Sequence, residues 1–574
     1  MLLMPNVVPE LATPVTNASG FVDVWTGGAP GTQAWSADFN WSSGSAPAPA
    51  YDVIFDNTSS KNNLLDRDTG INSLTVNPGY GGTFSANAGA SLEILNGLTM
   101  AQVASVTLPF EINASQNQTW RVPEVLGVLT LTGLVHLPSE LTVESAGNTI
   151  VGGVLSGTGS SALVKTGGGA LRLSGLAPNS YSGTTTVNAG TLLLDKISAV
   201  AVPGALVIGD GNGTDTVRLL RPEQIADNAA VTVNAGGKLD LNGQSETIGS
   251  LGGDGTVTLG SATLTFGQNG SSTALLGAVT GTGGLTKVGS GGTRLLSTDN
   301  AYSGPTTISR GGLELVGALP GPLMLSGGGA VGGTASVGPL TATVGDIGPG
   351  LVGSTGTFTA ASMTLAQDVS VHIQINAATA LGFDHMNVTN GLQLNGARLD
   401  VVTTFVPAPS SHFAIVSNGS GAVNGTFANL PEGAAFFSPG PGGGTSYRIS
   451  YVGGTGNDVV LTAIGPACTP RPRVQLVSQA SGGKLQTTIV PGALTGGARN
   501  PLVRFKADKL DNASVVVNGR SVAEGQAIGF VENTLSATML VSRVTGGQPS
   551  TVRFTVTDQC GDWPSFVGGG PTAF

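Results

Sequence analysis

A pattern of short strands and glycine turns occurs twice in this chain, about 120 residues apart. The first copy reads Leu163-Val164-Lys165-Thr166-Gly167, continues through Tyr181-Ser182-Gly183-Thr184-Thr185-Thr186-Val187, and closes on Gly190-Thr191-Leu192. The second reads Leu285-Thr286-Lys287-Val288-Gly289, then Tyr302-Ser303-Gly304-Pro305-Thr306-Thr307-Ile308, then Gly311-Gly312-Leu313. Lys165 maps to Lys287 and Tyr181 to Tyr302. A unit of this size cannot bury its own apolar face, so it buries it against a neighbouring unit, and stacking such units makes a solenoid.

The length agrees. A chain of 574 residues is too long for one compact core unless the core grows by repetition in one dimension. Only 10% of residues are charged and 90 are glycine, while the mean hydropathy is positive, which is unlike a disordered polyelectrolyte. The glycines keep no three-residue period, which excludes collagen. The apolar residues are mostly Val, Leu, Ala and Ile, spaced by Thr, Ser and Asn, as in strands broken by tight turns.

A net charge of −10 with no run of Lys or Arg argues against a nucleic-acid binder, which needs a basic footprint. No stretch of 18 apolar residues is present, so no helix is expected to span a membrane. The start, Met1-Leu2-Leu3-Met4-Pro5, lacks the basic region and long apolar core of a signal peptide. The expectation is a start upstream of Met1 or a processed chain.

Four regions are expected. Residues 1–65 hold three of the five tryptophans, Trp25, Trp35 and Trp41, which would cap an open solenoid end or, exposed, stack on sugars. Residues 66–351 alternate apolar and polar positions in runs such as Ser73-Leu74-Thr75-Val76-Asn77 and Lys238-Leu239-Asp240-Leu241-Asn242-Gly243, each ending in a turn. Arg221 to Ala226 is the one plausible helical turn. Residues 352–465 are richer in bulky apolar side chains and form an end unit. After a linker at Pro466 to Pro472, residues 466–574 carry six or seven short strands, with Asn518-Gly519 as a hairpin turn, and predict an immunoglobulin-like sandwich. The fold class is therefore all-β: a right-handed parallel β-helix with a C-terminal β-sandwich.

The repeat resembles that of the autotransporter-associated β-strand repeat proteins of bacteria. Their repeat runs from Gly-Leu-Thr-Lys-x-Gly to a Leu-x-Leu-Ser strand, then through Tyr-Ser-Gly-x-Thr-Thr into Gly-x-Leu-x-Leu. Gly284 to Leu315 is similar throughout, and Ala162 to Leu194 is similar with an extra residue or two. The resemblance covers most of residues 20–465 and implies an exported, secreted or cell-surface scaffold without implying a chemistry. It departs at the C-terminus, where residues 466–574 are too few for a translocator barrel of long amphipathic strands.

β-Helices also carry polysaccharide lyases and glycosidases, whose sites need acids converging on one face. Here the acids are scattered. Asp384-His385 is the one acid–histidine pair, and His136, His372 and His412 stand without metal-ligand spacing. Gly453-Gly454-Thr455-Gly456-Asn457-Asp458-Val459-Val460-Leu461 fits one copy of a calcium-binding nonapeptide, and Asp210 to Asp215 offers oxygen ligands, but a polar Asx-turn loop accounts for the latter. The expectation is no catalytic, cofactor or metal site.

The function expected is a structural or adhesive scaffold outside the cell. Its rivals are a subunit stacking end to end into a filament or sheath, and a polysaccharide-active enzyme. Expected partners are surface glycans or other cell-surface components, or further copies joined through the β-helix ends. Cys468 and Cys560 flank the strands of the last region. First and last strands of a sandwich often lie close, so a disulfide is expected, with two buried thiols as the alternative.

Overall fold

The structure, a computed structural model, describes residues 20–441 and 444–464 in full, and from Gly465 onward only the backbone of the strands. The expected Cys468–Cys560 bond lies outside the described residues. The chain divides into two compact units, residues 1–304 and 305–574. Among the described residues the only helix is one 3-10 turn, Asp38–Asn40.

The first unit is a parallel β-solenoid. One sheet takes a strand from each coil in order, including Glu140–Ser145, Ala162–Thr166, Thr185–Val187, Leu206–Ile208 and Ala230–Val233. A second sheet does the same with Ala170–Gly175, Gly190–Lys196, Asp215–Leu219, Gly237–Asp240 and Thr256–Thr258. Every pairing in these two sheets is parallel, and the strands just named pair in register, so each of their inward residues sits on its counterpart one coil away. The period of two in the sequence sends alternate side chains inward, and the stacking turns them into columns. Leu171, Leu192, Val217, Leu239, Val257 and Val279 form one such column, each fully buried. Burying side chains of this kind contributes roughly 1.5–3 kcal/mol each. The core is thus a stack of layers.

Glycine is required where coils approach at the turns. Gly167 has φ +75°, and a Cβ there would stand 2.6 Å from the carbonyl oxygen of Ser145 on the preceding coil. At Gly169 the same test puts the Cβ against the carbonyl of Gly147.

The helical turn expected at Arg221–Ala226 is absent. That stretch is bent and extended: Glu223 has φ +52° and Ile225 bridges in parallel to Val202. Parallel pairing to the preceding coil and a buried Gln224 outcompete a local turn, whose five or six residues could not satisfy their own backbone.

The N-terminal tryptophans are interior. Trp25, Trp35 and Trp41 are 0, 1 and 3% exposed, and their rings surround Phe55 at centroid distances of 5.7, 5.5 and 6.0 Å. Each indole N–H has an acceptor: Lys61 O, Asn63 Oδ1 and Trp35 O respectively. Buried rings cannot stack on a sugar, so the carbohydrate reading of this cluster is overturned.

The second unit continues the parallel pattern with longer strands. Ser336–Pro349 and Thr357–Ile375 run side by side with Leu340 on Met363, Ala342 on Leu365 and Ile347 on Val371. The ladder then changes direction. His412–Asn418 pairs in parallel with His385–Val388 on one edge and antiparallel with Asp458–Gly465 on the other. Phe413 is packed there against Phe383 and Tyr447, at 5.4 and 6.0 Å. Beyond Gly465 the backbone forms two antiparallel sheets of short strands. The strands Val515–Val517 and Arg520–Val522 pair antiparallel, with Val517 opposite Arg520, and Asn518-Gly519 between them lies outside the described residues.

Candidate functional site

The repeat lysine is a core residue. Lys165 occupies an inward column between Val143 and Val187, followed by Ile208 and Val233, and has no exposed surface. A lysine can enter such a column only if its ammonium finds acceptors. Lys165 Nζ donates to the carbonyls of Thr166 at 2.7 Å and Gly167 at 2.6 Å, and to Ala189 of the next coil at 3.1 Å. Burial pulls its pKa down to about 8, against the opposing pull of the Asp215 carboxylate. Lys287 stands in the matching place, opposite Phe266, and donates to Val288 O at 2.5 Å and Gly289 O at 3.3 Å. The lysine staples the turn at which its strand ends.

The repeat tyrosine is interior too. Tyr181 is 1% exposed, with its hydroxyl 2.6 Å from Thr185 Oγ1, and burial pushes its pKa up. Tyr302 is likewise 1% exposed. The most recognisable letters of the repeat therefore build the coil and offer nothing to a ligand.

Asp384 and His385 do not act as a pair. The Asp384 carboxylate accepts from the backbone N–H of Gly356 at 3.0 Å and of Gln374 at 2.8 Å, and burial raises its pKa to about 6. His385 Nδ1 instead lies 2.6 Å from the Ala414 carbonyl. His372 lies between Asp346 (2.9 Å) and Asp400 (3.6 Å), contacting one with each ring nitrogen, and His412 meets Thr462 Oγ1 at 3.0 Å. His136 is held between Glu111 Oε1 at 3.0 Å and Ser156 Oγ at 2.8 Å. The serine, imidazole and carboxylate come from three successive coils, on a half-exposed outer face.

The two loops with calcium-like spacing are internally bonded. Asp210 Oδ1 accepts the N–H of Asn212 at 2.8 Å, which is an Asx turn. Asp458 accepts from the N–H of Asn418 at 3.0 Å and of Thr455 at 3.2 Å, at the rim of an open polar recess of ≈ 690 Å³. Among the described residues no three His, Cys, Asp or Glu side chains are grouped to hold a metal.

Two clusters were invisible in the sequence. Gln224, fully buried, accepts from the N–H of Lys196 at 2.7 Å and donates to Lys196 O and Pro222 O, both at 3.0 Å. Glu246 receives the N–H groups of Gln224 at 2.7 Å and Ile225 at 3.1 Å, while burial raises its pKa to about 8. The second cluster is ionic: Asp195 accepts from Arg172 on the coil before it and Arg221 on the coil after it. No spacing rule foretells either, because the partners are more than 20 residues apart.

In this all-β parallel solenoid the motif residues Lys165, Tyr181, Lys287 and Tyr302 are buried. Residues 163–194 and 285–315 match the Passenger-associated-transport-repeat family, so the two copies of the motif are autotransporter passenger repeats. The chain is also similar to a protein named "Adhesin BmaC autotransporter" from Brucella suis biovar 1 (strain 1330), at 37% identity over 180 residues. That match covers 30% of this chain and 4% of the relative.

Proposed function

We propose that this chain is an adhesive scaffold of passenger type, displayed at the cell surface or secreted, and that it works by binding and not by catalysis. The passenger repeats carry the reading, and the named adhesin supports it. The burial of Lys165, Lys287, Tyr181 and Tyr302 agrees, since residues committed to the coil leave recognition to the outward positions. Its partners are surface glycans or other cell-surface components.

The finer architecture belongs to the same proposal. The coil is right-handed, as parallel crossovers are in about 98% of cases. Residues 1–65 cap one end, residues 352–465 form an end unit, and residues 466–574 form an immunoglobulin-like sandwich closed by Cys468–Cys560. Beads coated with the purified chain should adhere to cells above beads coated with an unrelated β-solenoid. Equal adhesion would overturn the adhesive reading, and turnover of a polysaccharide abolished by a single carboxylate substitution would overturn the non-enzymatic one.

A further inference from the structure

The outer face of the second sheet in the first unit carries four cations on three of four successive coils. Arg172, Arg218 and Lys238 project from Ala170–Gly175, Asp215–Leu219 and Gly237–Asp240, and Arg221 follows two residues after Asp215–Leu219 ends, on the same coil as Arg218. Register aligns Arg172 with Leu193, Arg218 and Asp240 in one outward column. Only two acids accompany them. Asp195 accepts Arg172 Nε at 2.9 Å and Arg221 Nε at 2.8 Å, and Asp240 lies 3.7 Å from Arg218 Nε and 3.8 Å from Lys238 Nζ.

The layering decides what this face can do. The side chains of Asp195 and Asp240 are 8 and 12% exposed, while those of the four cations are 40–47% exposed. The carboxylates lie beneath and hold the cations in place, and the cations present to solvent. Arg221 engages Asp195 through Nε alone, so the outer edge of its planar fork remains turned to an external partner. Glu223, two residues on, is bonded to Thr247 on the following coil instead. Four cations face Asp195 and Asp240, and counting Glu223 as well the strip keeps one excess positive charge, on a chain whose net charge is −10.

We propose that this strip is the docking surface for an acidic polysaccharide, bearing sulfate or carboxylate groups, laid along the coil stack. The proposal rests on the adhesive reading and specifies its ligand class. Arg172 and Arg218 stand two coils apart in one column, roughly 10 Å at the strand spacing of about 4.8 Å, with Arg221 and Lys238 beside them, a spacing that suits an extended polyanion with separated charges. A nucleic acid fits less well, because the strip has no aromatic side chain on which bases would stack.

Binding of the full chain to immobilised dextran sulfate, with uncharged dextran as the reference, tests this. The folded protein should bind dextran sulfate and not dextran, and more weakly as salt rises. Replacing Arg218→Gln together with Lys238→Gln should weaken binding about tenfold, the size of two exposed ion pairs. Arg221→Gln, which leaves Asp195 paired to Arg172, should weaken it about threefold on the same grounds. Arg121→Gln, whose arginine pairs with Glu144 in the other sheet, should leave binding unchanged. Circular dichroism confirms that each variant is folded. Absence of dextran sulfate binding, equal loss in the Arg121 variant, or equally tight binding of a DNA duplex would overturn the proposal. Cell adhesion that persists without dextran sulfate binding would sink the strip alone and leave the adhesive scaffold standing.

Discussion

Lys165 donates its ammonium to the carbonyl of Ala189, one coil further along, at 3.1 Å, from a place in the core otherwise filled by Val143, Val187 and Ile208. The stem packs as a hydrophobe and the head closes two turns. Volume and charge can be separated here. Lys165→Ala should cost about 2–4 kcal/mol through the cavity and the abandoned carbonyls. Lys165→Met keeps the volume and removes a buried charge, and should cost about 1 kcal/mol. Urea unfolding of both variants measures this, and equal losses would mean that the ammonium, not the packing, is what the core needs.

The buried ionisable groups of the first unit predict opposing pH limbs. Glu246 has its pKa raised by burial to about 8, so between the unfolded carboxyl pKa of about 4.5 and pH 8 the folded state holds the extra proton. Its contribution to stability therefore falls as pH rises through that window. Lys165 and Lys196 are lowered by burial to about 8, so between pH 8 and about 10.5 the unfolded state holds the extra protons and stability rises. Together these three groups impose a shallow minimum near pH 8. Unfolding midpoints at pH 5, 8 and 10 should trace it, and Glu246→Gln should flatten the acid limb while leaving the alkaline one.

In the second unit Asp384 acts with the sign of Glu246 but over a lower range. Its folded pKa of about 6 lies above the ordinary 3.8, so its contribution declines as pH rises from about 4 to 6. Asp384→Asn removes that dependence, but leaves one of the Gly356 and Gln374 N–H groups without a carbonyl-type acceptor. A loss of about 1–3 kcal/mol at pH 7 is expected. A variant as stable as the parent would show that the carboxylate does not organise this turn.

Trp41 packs edge-on against both Trp25 and Trp35, at ring distances of 5.1 and 5.3 Å. Trp41→Ala should destabilise the first unit by about 3–5 kcal/mol. In a Trp563→Phe background, the fluorescence of the remaining tryptophans should be that of shielded indoles, little quenched by iodide and unmoved by soluble glycans. Strong quenching in the folded state would contradict the burial.

The proposed Cys468–Cys560 bond is checked by thiol titration. The denatured, unreduced protein should contain no free thiol, and reduction should lower the melting transition of residues 466–574 alone. Closing a loop of this length contributes roughly 4 kcal/mol in the chain-entropy model. Two titratable thiols would end the proposal.

Much was legible in the chain itself. The repeat named the solenoid, the alternation in runs such as Ala230-Val231-Thr232-Val233 named inward and outward residues, and Gly167 marked a coil turn. Each is a local property: a strand's two faces follow from its period of two, and a positive φ from the missing Cβ. The reading failed at Arg221–Ala226, where a sequence with local helical character lies extended because its partners, Val202 and Glu246, come from other coils. It left the tryptophans open between solvent and core, since an indole suits both until Phe55 is seen among them.

What only the tertiary structure decided is which residues stand one above another. Coil-to-coil register depends on the length of every intervening turn, and these vary along the chain. A shift of one residue would exchange the two faces of a strand. Lys165 reads in the sequence as one more charged position, and the register alone sets it in a column of valines. Arg172, Asp195 and Arg221 read as three unrelated charges, and stacking alone makes them one site. The sequence by itself determined that coils form and which residues of a strand share a face. The stack determined what each side chain meets.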